Sequence, residues 1–218
     1  DAADGAAAAG AAPSRPLNLH LPATTHEWER GERVPVVVAG VDDAGKTTLV
    51  KKLQTGLTLE FPPTDASRAE VVGVDGLGVF RLWELAGEEA RNPLARVRNA
   101  VGVVFVVDAT SRTKLPKARD ELRRLLDLVS HKAMRSLRKG RPVRPLPVAV
   151  LLNKCDLVRQ FLPPHETIAA LELPPDATNV QAFVGTSTDG LGALEALAWI
   201  LRYHDGLDVP AAPDFHEE

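Results

Sequence analysis

The sequence is poor in cysteine and in long apolar segments, and it has no large excess of charge of either sign. A single cysteine, Cys155, in 218 residues excludes an intrachain disulfide framework. No apolar run approaches the roughly 18 residues that a membrane-spanning helix needs. The formal net charge of −3 gives no overall indication of a nucleic-acid partner. Hydrophobic residues make up 44% and charged residues 25%, which is typical of a soluble globular protein and excludes collagen-like and coiled-coil chains.

The composition predicts one domain between two tails. Residues 1–33 open with a run of Ala, Gly, Pro and Ser that cannot bury enough apolar surface to fold, so we expect a flexible N-terminal tail. This tail lacks the apolar centre of a secretory signal. Residues 34–205 are predicted to form the domain, and residues 206–218 a C-terminal tail.

Short β-branched segments alternate with helical patterns along the predicted domain. Four segments are predicted to be buried strands: Val36–Ala39, Val101–Val107, Val148–Leu152 and Val180–Val184. Two further strands, Val71–Val74 and Val79–Trp83, flank the turn at Asp75–Gly76. Helices are predicted over Lys46–Leu53, Leu115–His131 and Leu191–Tyr203, and a short helix that follows Pro163 and Pro164 is predicted to end at Leu171. The pattern predicts an α/β fold with a doubly wound, mostly parallel, six-stranded sheet.

A basic insert at about residues 132–145 interrupts this alternation. Six lysines and arginines lie between His131 and Arg144. Two interpretations remain open: a solvated loop that extends the preceding helix, or a docking surface for an acidic partner or an anionic lipid.

The strongest motif is a glycine-rich loop between the first strand and the first helix. It has the spacing Gly, four residues, Gly, Lys, Thr, and its candidate nucleotide-binding residues are Gly40, Asp42, Asp43, Ala44, Gly45, Lys46, Thr47 and Thr48. The glycines let consecutive backbone N–H groups approach phosphate oxygens, and the helix N-terminus favours an anion. Lys46 supplies a positive charge for the outer phosphates, and the Thr47 hydroxyl can coordinate Mg²⁺.

A second motif, Asn153-Lys154-Cys155-Asp156, follows a later strand. The Asp156 carboxylate can accept two hydrogen bonds from the N1–H and amino groups of guanine, a donor pair that adenine lacks. The Lys154 stem can lie over the base, and Asn153 can brace the loops. After the next strand, Gly185 and Thr186 can offer a backbone N–H to the guanine O6.

Together these residues resemble the small GTPases, and among them the ADP-ribosylation-factor-like (Arf/Arl) branch. The resemblance runs from about residue 34 to 204. The features specific to this branch are the sequence of residues 40–48, Trp83, Pro93-Leu94, and the segments 105–108 and 187–191. It implies a P-loop fold and a Mg²⁺-dependent GTP/GDP switch that recruits protein effectors. It also implies that Thr64 contacts Mg²⁺ and the γ-phosphate, and that Gly87 donates its N–H to the γ-phosphate.

The sequence departs from the family at the second phosphate-contact motif. Glu84 replaces the aspartate that holds Mg²⁺ through water, and Ala86 replaces a glycine. Glu88 replaces the glutamine that orients the attacking water, and an ionised glutamate only accepts hydrogen bonds. We therefore expect slow hydrolysis; the alternative is that Glu88 faces solvent and another group positions the water. Arg91, Arg96 and Arg98 are candidates for an arginine finger, although a solvated helix face is the simpler interpretation.

Three functional interpretations follow from these observations. The first is an Arf-like GTP/GDP switch with slow or partner-dependent hydrolysis, which binds effectors through Thr64 and residues 83–98. The second is a nucleotide-locked pseudo-GTPase that serves as a structural subunit of a larger assembly. The third is the β-subunit of a signal-recognition-particle receptor, which normally carries a membrane span. The expected location is the cytoplasm, with a cilium or an organelle surface as alternatives.

Overall fold

The computed structural model describes residues 33–57, 66–130, 145–174 and 177–207. Almost all of the predicted tails and of the predicted basic insert lie outside these residues. Strands and helices alternate along the described chain. They are β1 (Val34–Ala39), α1 (Lys46–Thr55), β2 (Arg68–Val74), β3 (Gly78–Glu84), α2 (Gly87–Arg91), α3 (Leu94–Val97), β4 (Gly102–Asp108), α4 (Leu115–Val129), β5 (Val148–Asn153), α5 (Pro164–Leu171), β6 (Val180–Val184) and α6 (Ala193–Asp205).

The strands of the described residues form one six-stranded sheet in the order β2-β3-β1-β4-β5-β6. The β2–β3 pair is antiparallel, and the other neighbouring pairs are parallel. This topology confirms the predicted mostly parallel sheet. The parallel strands β1, β4, β5 and β6 end at the same edge, where the loops that carry the predicted site residues begin.

The central strands form the core because helices flank the sheet. Every residue of β4 and β5 is buried, as expected for parallel strands made largely of valine and leucine. α6 contributes most to the cover of the sheet and contacts β4, β5 and β6. Its buried positions include Trp199 and Ile200, so this helix is apolar over most of its circumference.

α4 is the most regularly amphipathic helix. Its buried residues recur at helical spacing, at Leu115, Ala118, Leu122, Leu125 and Val129. Ser130 has an extended backbone with ψ 149°, which ends the helix at Val129, two residues before the predicted end at His131. The predicted helix continuation into the basic insert lies outside the described residues.

Glycine or proline sets the ends of three helices. α6 begins at Ala193 rather than at Leu191, since Gly190 and Gly192 have φ of 84° and 75°, a left-handed conformation that a helix cannot continue. The segment after β3 forms two short helices, α2 and α3. Pro93 separates them, because it lacks the N–H that would continue α2.

The β2–β3 hairpin is longer than predicted. Its pairing runs from Arg68 opposite Glu84 to Val74 opposite Gly78, and Leu77 N–H closes the turn on the Val74 carbonyl at 3.0 Å. Within the described ranges, no helix combines the length and the apolarity that crossing a bilayer requires.

Candidate functional site

The glycine-rich loop wraps closely over the carboxyl end of β1. Gly40 has φ 133°, and a Cβ there would lie 2.2 Å from the Val106 carbonyl oxygen of β4. Gly45 has φ 100°, and a Cβ there would lie 2.3 Å from Asn153 Nδ2. Both positions therefore require glycine, which explains the spacing of the motif.

Lys46 is buried beneath this loop. Its Nζ donates to the Gly40 carbonyl at 2.8 Å and to the Val41 carbonyl at 2.9 Å. Burial lowers the pKa of Lys46 below its usual range, against the opposing attraction of Asp42 and Glu84. An anion bound in the loop would favour the charged form of this buried ammonium, as the predicted phosphate site requires.

Thr47 and Glu84 place oxygen ligands beside the loop. The Thr47 hydroxyl donates to Glu84 Oε1, and Arg68 Nε donates to Glu84 Oε2 at 2.9 Å. The Glu84 carboxylate is only 1% exposed and receives these donors from α1 and β2. Mg²⁺ prefers hydroxyl and carboxylate oxygens as ligands, so Thr47 and Glu84 fit the implied ion. Thr64, the third predicted metal residue, lies outside the described residues.

Asn153 ties the glycine-rich loop to the loop after β6. Its Nδ2 donates to the Ala44 carbonyl at 2.6 Å, and its Oδ1 accepts the Ser187 N–H at 2.7 Å. The Ser187 hydroxyl adds a hydrogen bond of 3.1 Å to the Gly45 carbonyl. The expected brace is therefore present, with the Asn153 side chain only 1% exposed.

Asp156 stands exposed at the rim of the same edge. Its Oδ1 accepts the Thr186 hydroxyl at 2.5 Å, which fixes the carboxylate beside the loop after β6. Lys154 has φ 73°, and its Nζ donates to Asp108 Oδ2 at 2.7 Å. The Lys154 stem therefore runs from β5 toward β4. Burial, Asp156 and Asp189 raise the pKa of the Cys155 thiol, which disfavours the reactive thiolate.

The backbone N–H groups of residues 185–188, directly after β6, donate within the protein. Gly185 N donates to the Leu152 carbonyl at 3.0 Å, and Thr186 N donates to the Leu191 carbonyl at 3.2 Å. Thr188 N donates to Thr186 Oγ1 at 3.2 Å. A base carbonyl would have to share one of these donors, so the predicted contact of Gly185 or Thr186 with O6 stays a prediction.

Two lysines that the sequence did not single out lie beside the acidic residues of the glycine-rich loop. Lys117 Nζ lies 3.4 Å from Asp42 Oδ2, and Lys114 Nζ lies 3.5 Å from Asp43 Oδ2. Lys114 also lies 3.6 Å from the buried carboxylate of Asp108. The two lysines are three residues apart at the start of α4, the helix that follows β4. This spacing is the sequence signal that could have identified them.

α2 begins at Gly87, which has φ 55°. Ser67 links this start to β2, because its Oγ accepts the Ala86 N–H at 3.0 Å. A cavity of about 460 Å³ extends from the glycine-rich loop between α2 and α4; Gly40, Lys46, Gly87, Arg91 and Arg124 are among its lining residues.

The backbone of Glu88 lies in α2, and its side chain is outside the described set. Thr48 is half-buried in the first turn of α1.

Of the three arginine-finger candidates, Arg91 alone lines this cavity. The Arg96 guanidinium lies 3.9 Å from the centre of the Trp83 ring, and its Nη2 lies 2.9 Å from Glu89 Oε1. These contacts hold Arg96 on the β3 side of α3. Arg98 is exposed.

Comparisons with known proteins agree with this geometry. The model of the ADP-ribosylation factor family matches residues 23–204. Among solved structures, the chain is similar to the Arl6 BBS3 small GTPase from Trypanosoma brucei with the bound nucleotide analogue GppNp. The two share 21% sequence identity with a TM-score of 0.65, and the match covers 81% of this chain and 100% of the other. At this identity the likeness concerns the fold, whereas the family match extends over most of the chain.

Proposed function

The chain belongs to the ADP-ribosylation factor family, and we propose that it is a guanine-nucleotide switch that recruits protein effectors and hydrolyses GTP slowly or with the help of a partner. The nucleotide would bind at the carboxyl edge of the sheet, with its phosphates on residues 40–47 and its base at Asp156. Mg²⁺, when bound, would neutralise phosphate charge beside Thr47 and Glu84.

The observation that carries this proposal is the Asn153 brace. One buried amide bonds to both the Ala44 carbonyl and the Ser187 N–H, so it fixes the distance between the loop for the phosphates and the loop for the base. A nucleotide that spans both loops meets two preorganised halves of one site. Preorganisation of this kind reduces the ordering entropy that binding costs.

Glu88 supports slow hydrolysis in this proposal. A glutamine amide can accept a hydrogen bond from water and donate one to a phosphate oxygen, whereas an ionised carboxylate can only accept. A carboxylate near the γ-phosphate also adds negative charge to an anionic centre. The chain therefore lacks the group that its family uses to orient the attacking water.

The Arg68–Glu84 ion pair favours a second candidate, a nucleotide-locked structural subunit. The guanidinium already compensates the buried carboxylate that would otherwise hold Mg²⁺ through water. The buried carboxylate is therefore compensated with or without Mg²⁺, which suits a subunit that does not cycle between nucleotide states. Denaturing the purified protein and identifying the released nucleotide separates the two: a mixture of exchangeable GDP and GTP supports the switch, and GTP alone supports the locked subunit.

A change of base specificity tests guanine recognition at Asp156. Xanthine carries an oxygen where guanine carries the amino group, so an amide at position 156 can donate to that oxygen and still accept from N1–H. We expect Asp156→Asn to weaken GDP binding by about 100-fold or more and to gain binding of xanthosine diphosphate. Competition with a fluorescent nucleotide measures both affinities.

Asp189→Asn is the matched control, because Asp189 lies in the neighbouring loop and accepts the Leu191 N–H at 2.7 Å. It should keep the preference for GDP. A gain of xanthosine binding cannot result from misfolding, so the test does not depend on loss of function. If Asp156→Asn keeps wild-type GDP affinity, the proposed guanine contact is wrong.

A further inference from the structure

The Glu84 carboxylate, which fits the implied Mg²⁺, has a cation of the protein itself beside it. Arg68 Nε donates to Glu84 Oε2 at 2.9 Å, and the Thr47 hydroxyl donates to Glu84 Oε1. Each carboxylate oxygen therefore accepts a hydrogen bond from within the protein. A magnesium-bound water that donates to Glu84 would have to share one of these oxygens with Arg68 or Thr47.

The Arg68–Glu84 ion pair is shielded from solvent on its acidic side. The Glu84 side chain is 1% exposed, and the Arg68 side chain is 33% exposed. Water and salt screen such a pair less than they screen two charges on the surface. A buried carboxylate is costly without a compensating positive charge. Arg68 therefore supplies compensation that a metal ion supplies in a site without this arginine.

The hairpin register and a neighbouring ion pair hold Arg68 in place. Arg68 lies directly opposite Glu84 in the antiparallel pairing of β2 and β3. Glu70 follows two residues later on the same face of β2, and its carboxylate lies 2.5 Å from Lys51 Nζ of α1. β2 is thus tied to α1 next to Arg68. The guanidinium is positioned by two elements and differs in this respect from a mobile cation on the surface.

We propose that Arg68 is a resident cation that takes over part of the electrostatic role of Mg²⁺ at the nucleotide site, so that the chain binds Mg²⁺ weakly and retains guanine nucleotide with little dependence on it. This inference rests on the proposed binding of guanine nucleotide and adds a regulatory property to that site. Arg68 lies in β2, outside both nucleotide-binding motifs.

Two electrostatic effects of Arg68 support this proposal. Its positive charge repels a second cation and neutralises the Glu84 carboxylate that would attract one, so it lowers the affinity for Mg²⁺. The same charge lies one carboxylate away from Thr47, at the start of α1 where the phosphates would bind, and it attracts an anion at every Mg²⁺ concentration. By linkage, an ion that binds the nucleotide complex weakly also stabilises that complex weakly.

The rate at which the full chain releases a fluorescent GDP, in millimolar Mg²⁺ and in EDTA, tests this dependence. We expect EDTA to accelerate release by less than about tenfold in the unmodified chain and by about 100-fold or more in Arg68→Gln. Glutamine keeps a hydrogen-bond donor for Glu84 but removes the positive charge. Arg68→Lys keeps the charge and should respond to EDTA like the unmodified chain.

Binding of Mn²⁺, a paramagnetic substitute for Mg²⁺, gives a second readout that does not depend on release. Electron paramagnetic resonance of free Mn²⁺ during a titration of the GDP-loaded chain measures the affinity. We expect Arg68→Gln to bind Mn²⁺ about tenfold more tightly than the unmodified chain does. A gain of metal affinity cannot result from misfolding, so this measurement remains decisive if the variant is less stable.

Lys51→Met is the matched control, because it removes a cation whose partner, Glu70, shares a face of β2 with Arg68. It should leave the Mn²⁺ affinity and the response to EDTA unchanged. Equal effects of Lys51→Met and Arg68→Gln would overturn the proposal, since they would reflect net charge alone. An Arg68→Lys variant that behaves like Arg68→Gln would also overturn it, because the positive charge would then not be the cause.

The same samples separate this inference from the proposed function. If the unmodified chain binds GDP, and EDTA accelerates release equally in this chain and in Arg68→Gln, the role of Arg68 is wrong and the switch stands. If the unmodified chain binds no guanine nucleotide, the proposed function is wrong and this inference is wrong with it.

Discussion

At the scale of single residues, three polar contacts of the site join separate parts of the chain. Asn153 of β5 reaches the glycine-rich loop, Lys154 reaches Asp108 of β4, and Glu84 of β3 receives Thr47 of α1. A buried polar group without such a partner costs about 1–3 kcal/mol. Contacts between separate parts of the chain therefore hold the site together, in addition to the hydrogen bonds of Lys46 within the glycine-rich loop.

The contact between Asp108 and Lys154 should make the stability of the fold depend on pH. Burial raises its pKa, but hydrogen bonds from Lys154 and Thr110 outweigh burial and hold the pKa of Asp108 below its usual range. A carboxyl whose pKa is lower in the folded state stabilises the fold above its unfolded pKa of about 3.9, and this stabilisation is lost as the pH falls through the folded value.

We expect Lys154→Met to reduce the free energy of unfolding by about 1 kcal/mol at pH 7, because it removes the charged donor at 2.7 Å from Asp108. The difference from the unmodified chain should begin to shrink below about pH 4, the pKa of an unfolded aspartate, and should disappear as the pH falls through the lower pKa of folded Asp108. Urea unfolding between pH 3 and 7 measures it. Lys117→Met, whose partner Asp42 is exposed, should show no such pH dependence; a gap that stays constant with pH would contradict the assignment.

Glu88 provides a test of the hydrolysis step at one position. We expect Glu88→Gln to raise the single-turnover rate of GTP hydrolysis by about tenfold or more, which corresponds to about 1.4 kcal/mol of barrier, because the amide restores a donor as well as an acceptor. Glu195→Gln on the exposed side of α6 is the control and should leave the rate unchanged. An unchanged rate in Glu88→Gln would show that another group positions the water.

The sequence was sufficient to predict which residues lie at the candidate site where a motif contains them, as at Lys46, Asn153 and Asp156. Arg68, Lys114 and Lys117 were not, because their roles depend on which residues the fold brings opposite them. Arg68 meets Glu84 only because β2 and β3 pair in that register. A register of this kind is set by the hairpin as a whole and is not visible in any short pattern.

At the scale of elements, the strands and helices with strong hydrophobic periodicity were predicted with their correct type. Local patterning gives no signal for α2 and α3, which are too short to show a helical period. The helix ends were less predictable. The backbone conformation of glycine sets the start of α6. The sequence alone does not show whether Gly190 or Gly192 marks that start.

β4 and α6 pack closely against each other at Gly102. A Cβ at Gly102 would lie 2.4 Å from Ile200 Cγ2, and Ile200 is fully buried. The missing side chain at Gly102 therefore lets α6 approach the centre of the sheet. Close packing of this kind does not accept an added methyl group without displacement of its neighbours.

We expect Gly102→Ala to lower the free energy of unfolding by about 1–3 kcal/mol through overpacking against Ile200. Gly73→Ala in the edge strand β2 is the matched control, because a Cβ there meets nothing within 4 Å. Thermal unfolding measures both. Ile200→Ala removes the Cγ2 that the new methyl group would meet, so the double variant with Gly102→Ala should lose less stability than the sum of the two single losses. Equal stability of the two glycine variants would show that α6 is free to shift.

At the scale of the whole molecule, the α/β class and the sheet topology could be predicted because the strands alternate with helices and parallel crossovers have one favoured arrangement. The same topology brings residues 40–47, 153–156 and 185–188 to one edge, as predicted. The cavity that Arg33, Arg81 and Arg96 line was not predictable, since these residues come from three separate parts of the chain. The division of the chain at residues 33 and 206 stays a prediction.

The position of α6 along the chain has a consequence for biosynthesis. α6 follows every strand and every residue of the nucleotide site, yet it covers β4 and β5, which carry Asp108 and Asn153. During translation, those strands emerge from the ribosome before their apolar cover exists. We therefore expect the nascent chain to expose the centre of its sheet, and to be most prone to aggregation, until residues 193–205 are available to cover it.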